Sequence, residues 1–295
     1  LLDRASSDLT FTLSKSDTLH SVRVQEYSSL AASSDTFSVI AGGKTLSLDV
    51  DYDEAANTYT AGSGASTQIA GTVSDDILIG AAGDDRLFGN AGDDLFSGGA
   101  GDDDLVGGGG EDTADYSGLA QSVGLTVNLT DGTAVSSATG DDTLSSIENV
   151  LAGAGNDLIT GNTSANVLDG GAGDDTFYGT AGDDNLLGGA GIDTVSYASA
   201  SKTVEVNLVS GLSKSEEMGN DVLSDIENVI GGGGADTIRG TTGDNLLTGG
   251  GGNDILYGGG GTDILSGGTG DDLYVVGAGD VTVNVGTGTD KLRLL

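Results

Sequence analysis

The sequence contains no cysteine, proline or tryptophan, and His20 is the one histidine in 295 residues. Without cysteine the chain forms no disulfide bond and offers no thiol, so redox chemistry does not indicate a cellular compartment. One histidine does not supply the usual acid–base constellations of enzymes, and neither a G-x-S-x-G nor an H-E-x-x-H motif occurs. We therefore predict that this chain has no catalytic residues.

Basic residues are scarce as well, with 10 Lys and Arg against 46 Asp and Glu, which gives a formal net charge of -36. None occurs between Arg86 and Lys202. Such a uniformly negative field repels nucleic acid and anionic membranes, so we expect a cationic partner and no nucleic acid. No apolar run approaches the roughly 18 residues of a membrane span, so we expect no direct membrane insertion.

Aromatic residues make up 4% of the chain. A charged, aromatic-poor sequence usually stays disordered, because it has too little apolar surface to offset the entropy cost of ordering. In this chain, however, Leu, Ile, Phe and Val return at every ninth position. We therefore predict that the chain is disordered without its ligand and ordered with it.

Residues 1–70 have fewer glycines than the rest and alternate apolar and polar residues over short runs. Gly42-Gly43 lies between two such runs, a pattern typical of a β-hairpin. We expect a small antiparallel β domain here, or the end of an upstream β-sandwich. Because Leu1 is not an initiator methionine and no cleavable signal follows it, we expect a processed or trimmed piece of a longer protein.

A nine-residue repeat, G-G-x-G-(N/D)-D-x-U-x with U apolar, fills three arrays at 71–115, 152–196 and 231–295. The fourth residue is glycine in all repeats except at Ser74 and Ser164, and the eighth is always apolar. Our candidate metal ligands are the sixth residues, Asp76, Asp85, Asp94, Asp103, Asp112, Asp157, Asn166, Asp175, Asp184, Asp193, Asp236, Asn245, Asp254, Asp263, Asp272 and Asp290. Val281 also stands at a sixth position.

Two related inserts, 116–151 and 197–230, separate the arrays. The first contains GDDTLSSIENV and the second GNDVLSDIENV, so that array plus insert is itself a repeated unit. Both segments keep one apolar stripe, and we expect each to feed β structure into the following array. We interpret the inserts as β spacers or caps that interrupt the metal loops.

The first six residues of each repeat suit a tight loop, because glycine adopts positive φ at little cost. The x-U-x that follows suits a three-residue strand with its central side chain facing one way. We predict an all-β fold, a right-handed parallel β-roll in which two repeats make one turn. Loops eighteen residues apart then lie above one another, about 4.8 Å apart, and pair Asp76 with Asp94 and Asp85 with Asp103.

Each such pair offers two carboxylates and several loop carbonyls to one ion. An adaptable cage of oxygen ligands suits Ca²⁺, whereas Mg²⁺ demands strict octahedral geometry and Zn²⁺ prefers nitrogen or sulfur. We expect roughly ten calcium ions, which would cancel much of the negative charge. Because neutralisation and cage formation coincide, binding and folding should be one event.

The segments GGAGDDTFY (170–178) and GGGGNDILY (249–257) resemble the hemolysin-type calcium-binding repeats of RTX proteins, and the resemblance covers most of the chain. It implies a parallel β-roll, calcium bound by the sixth-position residues, and export from a Gram-negative bacterium by a type I secretion system. It also implies folding outside the cell, where calcium is abundant. Asn166, Asn245 and Val281 depart from the family pattern, so we expect weaker sites there.

Our first functional hypothesis is an extracellular, non-enzymatic calcium-binding scaffold of a larger surface protein such as an adhesin, S-layer or matrix protein. Its partners would be calcium and a cell-surface or matrix component, or further copies of itself. The rival hypothesis is the C-terminal folding and secretion module of a secreted enzyme or toxin, such as a protease, lipase, alginate epimerase or cytolysin.

Overall fold

The structure, a computed structural model, describes residues 57–61, 66–277 and 279–295, and the backbone of strands at 9–10, 23–24, 37–41, 44–48 and 50–53. Every regular element in these residues is a β-strand. The strands up to the end of the first array are β1 (Leu9–Thr10), β2 (Arg23–Val24), β3 (Phe37–Ala41), β4 (Lys44–Leu48), β5 (Val50–Asp53), β6 (Thr58–Ala61), β7 (Gln68–Ala70), β8 (Ile77–Ala82), β9 (Arg86–Ala91), β10 (Leu95–Ala100), β11 (Asp104–Gly109) and β12 (Thr113–Asp115).

The strands of the first insert and second array are β13 (Leu125–Asn128), β14 (Thr133–Ser136), β15 (Gly140–Ser145), β16 (Asn149–Leu151), β17 (Leu158–Thr160), β18 (Val167–Asp169), β19 (Thr176–Tyr178), β20 (Asn185–Leu187) and β21 (Thr194–Ser196). Those of the second insert and third array are β22 (Val204–Asn207), β23 (Leu212–Ser215), β24 (Val222–Ser224), β25 (Asn228–Ile230), β26 (Thr237–Arg239), β27 (Leu246–Gly251), β28 (Ile255–Tyr257), β29 (Gly261–Thr269), β30 (Leu273–Val276), β31 (Gly279–Asn284) and β32 (Lys291–Leu294).

The chain divides into two compact units, Leu1–Asp115 with Ala138–Ile147, and Tyr116–Ser137 with Glu148–Leu295. In the first unit, β6, β8, β10 and β12 form one parallel sheet, and β7, β9, β11 and β15 form another. Successive repeats therefore alternate between two sheets, which confirms the predicted parallel β-solenoid. The parallel pairing already begins at β6 and β7, before the first array.

In the second unit one sheet runs in the order β16, β18, β20, β24, β23, β22, β26, β28, β30, β32. The other runs β14, β13, β17, β19, β21, β25, β27, β29, β31. The inserts contribute antiparallel hairpins, β13 with β14 and β22 with β23, whereas the array strands pair in parallel. As predicted, the stripe in GNDVLSDIENV continues the β structure, since Leu223 lies beside Leu186 and Val229 beside Leu247.

The eighth residues of the repeats form the core. From Leu78 to Tyr274 their side chains are at most 1% exposed, because strand neighbours eighteen residues apart bring them into register. At the end of the third array the layer opens, and Leu292 is 59% exposed. Burial of these side chains fixes which face of every strand points inward.

The antiparallel pairing of β3 with β4 agrees with the hairpin predicted around Gly42-Gly43, although those two glycines lie outside the described residues. His20 lies outside them too. A separate small domain over residues 1–70 stays a prediction. Within the described residues there is no long apolar helix of the kind that crosses a lipid bilayer.

Candidate metal centre

The sixth residues of the repeats point into the solenoid. In an extended segment, residues two apart share a face, so the sixth residue follows the buried eighth residue inward. All the predicted ligands from Asp76 to Asp272 are at most 3% exposed, and Asp290 is half-buried. A row of buried acidic side chains is costly unless each carboxylate is paired or holds a cation.

In the first unit the buried carboxylates form ladders along the solenoid axis. The backbone N–H of Asp76 donates to Oδ1 of Asp94 at 2.8 Å, and that of Asp94 donates to Oδ1 of Asp112 at 2.9 Å. On the other edge, the N–H of Asp85 donates to Oδ1 of Asp103 at 2.8 Å. The structure thus brings together the pairs expected from the eighteen-residue register.

The second unit repeats this arrangement. The N–H of Asp157 donates to Oδ1 of Asp175 at 2.7 Å, and that of Asp175 to Oδ1 of Asp193 at 2.8 Å. The corresponding bonds of the third array join Asp236 to Asp254, Asp254 to Asp272, Asn245 to Asp263 and Asp272 to Asp290. Each bond uses only one oxygen of the accepting carboxylate.

The second carboxylate oxygen is the feature that fits a metal. Within the described residues, buried Oδ2 atoms without a hydrogen-bond partner belong to Asp85, Asp94, Asp103, Asp175, Asp193, Asp254, Asp263 and Asp272. A buried charged oxygen with no partner destabilises a fold by roughly several kcal/mol. A cation beside these atoms would remove that cost.

Burial also shifts the proton equilibria of these groups. Loss of solvation raises the pKa of Asp103 to about 7, and repulsion from Asp142 raises it further. The hydrogen bond from the Asp85 N–H acts in the opposite direction and lowers it. Burial likewise raises the pKa of Asp175 and Asp254 to about 7 and that of Asp94 to about 6. Without a cation, these carboxylates therefore hold protons more tightly than ordinary aspartates do.

No three Asp, Glu or His side chains of the described chain converge as they do in a metal site built from side chains alone. A cation would therefore draw on backbone carbonyls in addition to paired carboxylates. The glycines permit the close loop stacking, since Gly101 has φ of +135° and a side chain there would collide with the Gly83 carbonyl. This all-oxygen donor set fits Ca²⁺ and not Zn²⁺.

Three sixth-position residues, Asn166, Asn245 and Val281, are not aspartates and make different contacts. Nδ2 of Asn166 donates to the carbonyl of Glu148 at 2.7 Å, and Nδ2 of Asn245 to that of Glu227 at 2.6 Å. An amide donor in place of a carboxylate oxygen disfavours a cation at the same point. Val281 lies beside Asp263 and supplies no oxygen from its side chain.

The inserts also contain ligand-like residues, which the three arrays did not predict. The N–H of Asp103 donates to Oδ1 of Asp142 at 2.9 Å, and that of Asp184 to Oδ1 of Asp221 at 3.1 Å. In addition, the N–H of Asp193 donates to Oε2 of Glu227 at 2.9 Å. The signal was present, because GDDTL and GNDVL match the fourth to eighth residues of the repeat.

Comparison with known proteins adds a family assignment. A model described as the RTX calcium-binding nonapeptide repeat (4 copies) matches residues 61–96, 79–114, 138–177, 160–195, 230–265 and 266–294. No curated protein matches the chain. Among solved structures, the extracellular lipase LipA from Serratia marcescens is similar with a TM-score of 0.26 and 20% identity, over 73% of this chain and 33% of the lipase chain. The chain thus spans about a third of that protein.

Proposed function

Because the chain belongs to the RTX calcium-binding nonapeptide repeat family, we propose that it is an extracellular β-roll that folds as it binds calcium. The sixth-position residues are the proposed ligands, with Asp85, Asp94 and Asp103 as examples in the first array. The observation that carries this proposal is the set of buried Oδ2 atoms without a partner in the described chain.

Coupling of folding to binding follows from charge. The chain has a formal net charge of -36, and its folded form would bury many carboxylates at close range. Without calcium, desolvation and mutual repulsion both oppose the fold, so the unfolded chain is favoured. With calcium, the binding free energy becomes folding free energy.

This coupling suits secretion. A chain that stays unfolded where calcium is scarce can cross an envelope, and it then folds where calcium is millimolar. We therefore propose export by a type I system and residence outside the cell or at its surface. Calcium is the partner that the site chemistry supports, and a cell-surface or matrix partner would be recognised elsewhere on the protein.

We propose a scaffolding role for the folded roll, as part of a surface protein such as an adhesin, S-layer or matrix protein. The repeated array-and-insert unit and the buried, structural use of its carboxylates support this role. As a module of a secreted enzyme or toxin, the same roll would assist folding, and catalytic motifs would stand in other parts of the gene. Tandem immunoglobulin-like repeats in the full-length gene would favour the scaffold.

Circular dichroism in calcium-free buffer and then in millimolar calcium tests the coupling. We expect a disordered spectrum without calcium, a β spectrum with it, and return to disorder on adding EGTA. Magnesium at the same concentration and ionic strength is the control and should not induce the fold. A chain already fully β-structured in chelator would contradict folding on binding.

A further inference from the structure

The second residue of each repeat loop adopts one of two backbone conformations. Left-handed values of φ occur at Ala81 (88°), Asn90 (78°), Gly99 (107°), Gly108 (115°), Gly171 (88°), Gly189 (95°), Gly250 (106°), Gly259 (101°), Gly268 (97°) and Gly286 (66°). We call loops with such a second residue open. In the remaining buried loops the second residue lies outside the left-handed region, and we call these loops closed.

In closed loops the second residue hydrogen-bonds to the sixth residue of its own loop. The N–H of Gly153 donates to Oδ2 of Asp157 at 3.1 Å, and that of Gly232 to Oδ2 of Asp236 at 2.7 Å. The same bond joins Thr72 to Asp76, Asn162 to Asn166 and Thr241 to Asn245. An N–H directed at the carboxylate takes the place of a cation.

Open loops contain the carboxylates whose Oδ2 atoms lack a partner. Asn90 and Asp94 share one such loop, and Gly189 and Asp193 share another. The N–H and C=O of a trans peptide point in opposite directions, so turning the N–H of the second residue away brings the preceding carbonyl round in its place. A carbonyl oxygen and a carboxylate oxygen repel each other when no cation is present. Both are favourable ligands when a cation lies between them.

Loops that lie above another repeat loop are open, and loops that begin an array are closed. Loop 170–175 is open and lies above loop 152–157, which is closed and begins its array. Two of the buried loops depart from this pattern. Loop 80–85 is open although Thr67, outside the predicted arrays, lies beneath it. Loop 179–184 lies above loop 161–166, yet Thr180 is not left-handed and its hydroxyl lies 3.4 Å from Oδ2 of Asp184. Positive φ is strongly disfavoured for a β-branched residue.

Asn166, which lies beneath loop 179–184, is not the reason why that loop is closed. Loop 258–263 lies above Asn245 in the same way, with a 3.1 Å bond from the Asn245 N–H to Oδ1 of Asp263. There the second residue is Gly259, its φ is 101°, and Oδ2 of Asp263 has no partner among the described residues. The two loops differ at the second residue, threonine against glycine.

We propose that calcium binds at the open loops, each ion lying between an open loop and the loop beneath it. Loop 179–184 binds no ion, because Thr180 holds it closed. The left-handed second residue, rather than the sixth-position aspartate alone, then decides which repeats hold an ion. This inference rests on the proposed function, because it assumes that the loops bind calcium at all.

Native mass spectrometry of the full chain in calcium tests it, since the method counts ions per chain. Thr180→Gly should bind about one more ion than the wild type, because glycine lets the loop open. Asn90→Thr should bind about one fewer, because threonine resists the left-handed conformation found at Asn90. Thr241→Gly is the matched control, since the sixth residue of that loop is Asn245, whose amide donates to the Glu227 carbonyl, and it should leave the count unchanged.

Circular dichroism of each variant at saturating calcium establishes that the fold is kept. If the Thr180→Gly variant folds and its ion count equals that of the wild type, the inference is wrong while the proposed function stands. A gain of an ion in Thr241→Gly would also overturn it. A wild-type chain that binds no calcium would instead refute the proposed function.

Discussion

The hydroxyl of Tyr197 donates a 2.6 Å hydrogen bond to Oδ2 of Asp221, and both side chains are at most 1% exposed. The Ser213 hydroxyl donates to the same oxygen at 2.9 Å. Asp221 stands above Asp184 in the ladder, where a repeat would present an Oδ2 to a cation. The second insert therefore satisfies Oδ2 of this carboxylate with protein hydroxyls, and we expect the ladder to end there without an ion.

This arrangement predicts the effect of Tyr197→Phe. Removing the hydroxyl takes one of the two donors from Oδ2 of a buried carboxylate, so we expect a loss of about 2 kcal/mol in the free energy of unfolding. Calcium stoichiometry should not change. Urea denaturation at saturating calcium measures the loss, and Tyr178→Phe, on a side chain that is 41% exposed, should change stability by less than about 0.5 kcal/mol. Equal effects of the two variants would contradict the proposed stabilisation of Asp221 by the Tyr197 hydroxyl.

The shared position of Asp94 predicts a second result. Asp94 bonds to both Asp76 and Asp112, so Asp94→Asn should lower calcium stoichiometry by roughly one to two ions. The control is Asp93→Asn, which removes the same charge from the exposed neighbouring residue. Isothermal titration of both variants measures the ion count. If both variants keep the wild-type count, stacking of paired sites is wrong.

The raised pKa values predict how pH acts. The pKa values of Asp103, Asp175 and Asp254 rise to about 7 in the metal-free fold, above 3.8 for the ordinary group. The fold then binds more protons than the unfolded chain, so without calcium these groups stabilise it at acid pH, and the stabilisation is lost as pH rises through about 7.

Calcium-driven folding should depend little on pH over the same range. Between about pH 7.5 and about pH 5.5 the carboxylates are ionised both in the unfolded chain, where their pKa is near 3.8, and in the calcium-bound fold, so almost no protons are exchanged. We therefore expect the calcium concentration at half-folding to rise by less than about threefold, as measured by calcium titrations followed by circular dichroism at constant ionic strength. A rise of roughly tenfold or more towards pH 5.5 would mean that calcium binds a chain that is already folded, and would contradict folding on binding.

The core predicts a fourth result. Phe177 fills an eighth position with no exposed surface, so Phe177→Ala should lower the free energy of unfolding by about 3 to 5 kcal/mol through lost burial and a cavity. Tyr178→Ala, at the adjacent outward position, should cost less than about 1 kcal/mol. Chemical denaturation at saturating calcium compares them. Similar losses in both would mean that the eighth-position layer is not the core.

Much of the candidate site could be read from spacing because its geometry is local. The nine-residue period gave the eighteen-residue register, and the structure brings Asp76 to Asp94 and Asp157 to Asp175 accordingly. The role of these residues as calcium ligands stays a prediction. The pairing of Asp142 with Asp103 could not be predicted from the period, because the 39 residues that separate them are not a multiple of nine, although GDDTL itself matches the repeat.

The sequence by itself determined the all-β solenoid, the inward sixth and eighth residues, and the preference for an oxygen-binding cation, because each follows from side-chain alternation and a fixed period. Only the tertiary structure decided which loops are open, since Asn90, in a loop above another repeat loop, is left-handed and Asn162, in a loop with none beneath it, is not. It also decided that Tyr197 caps Asp221, because a hydroxyl reaches a carboxylate 24 residues away only after the chain has turned back on itself.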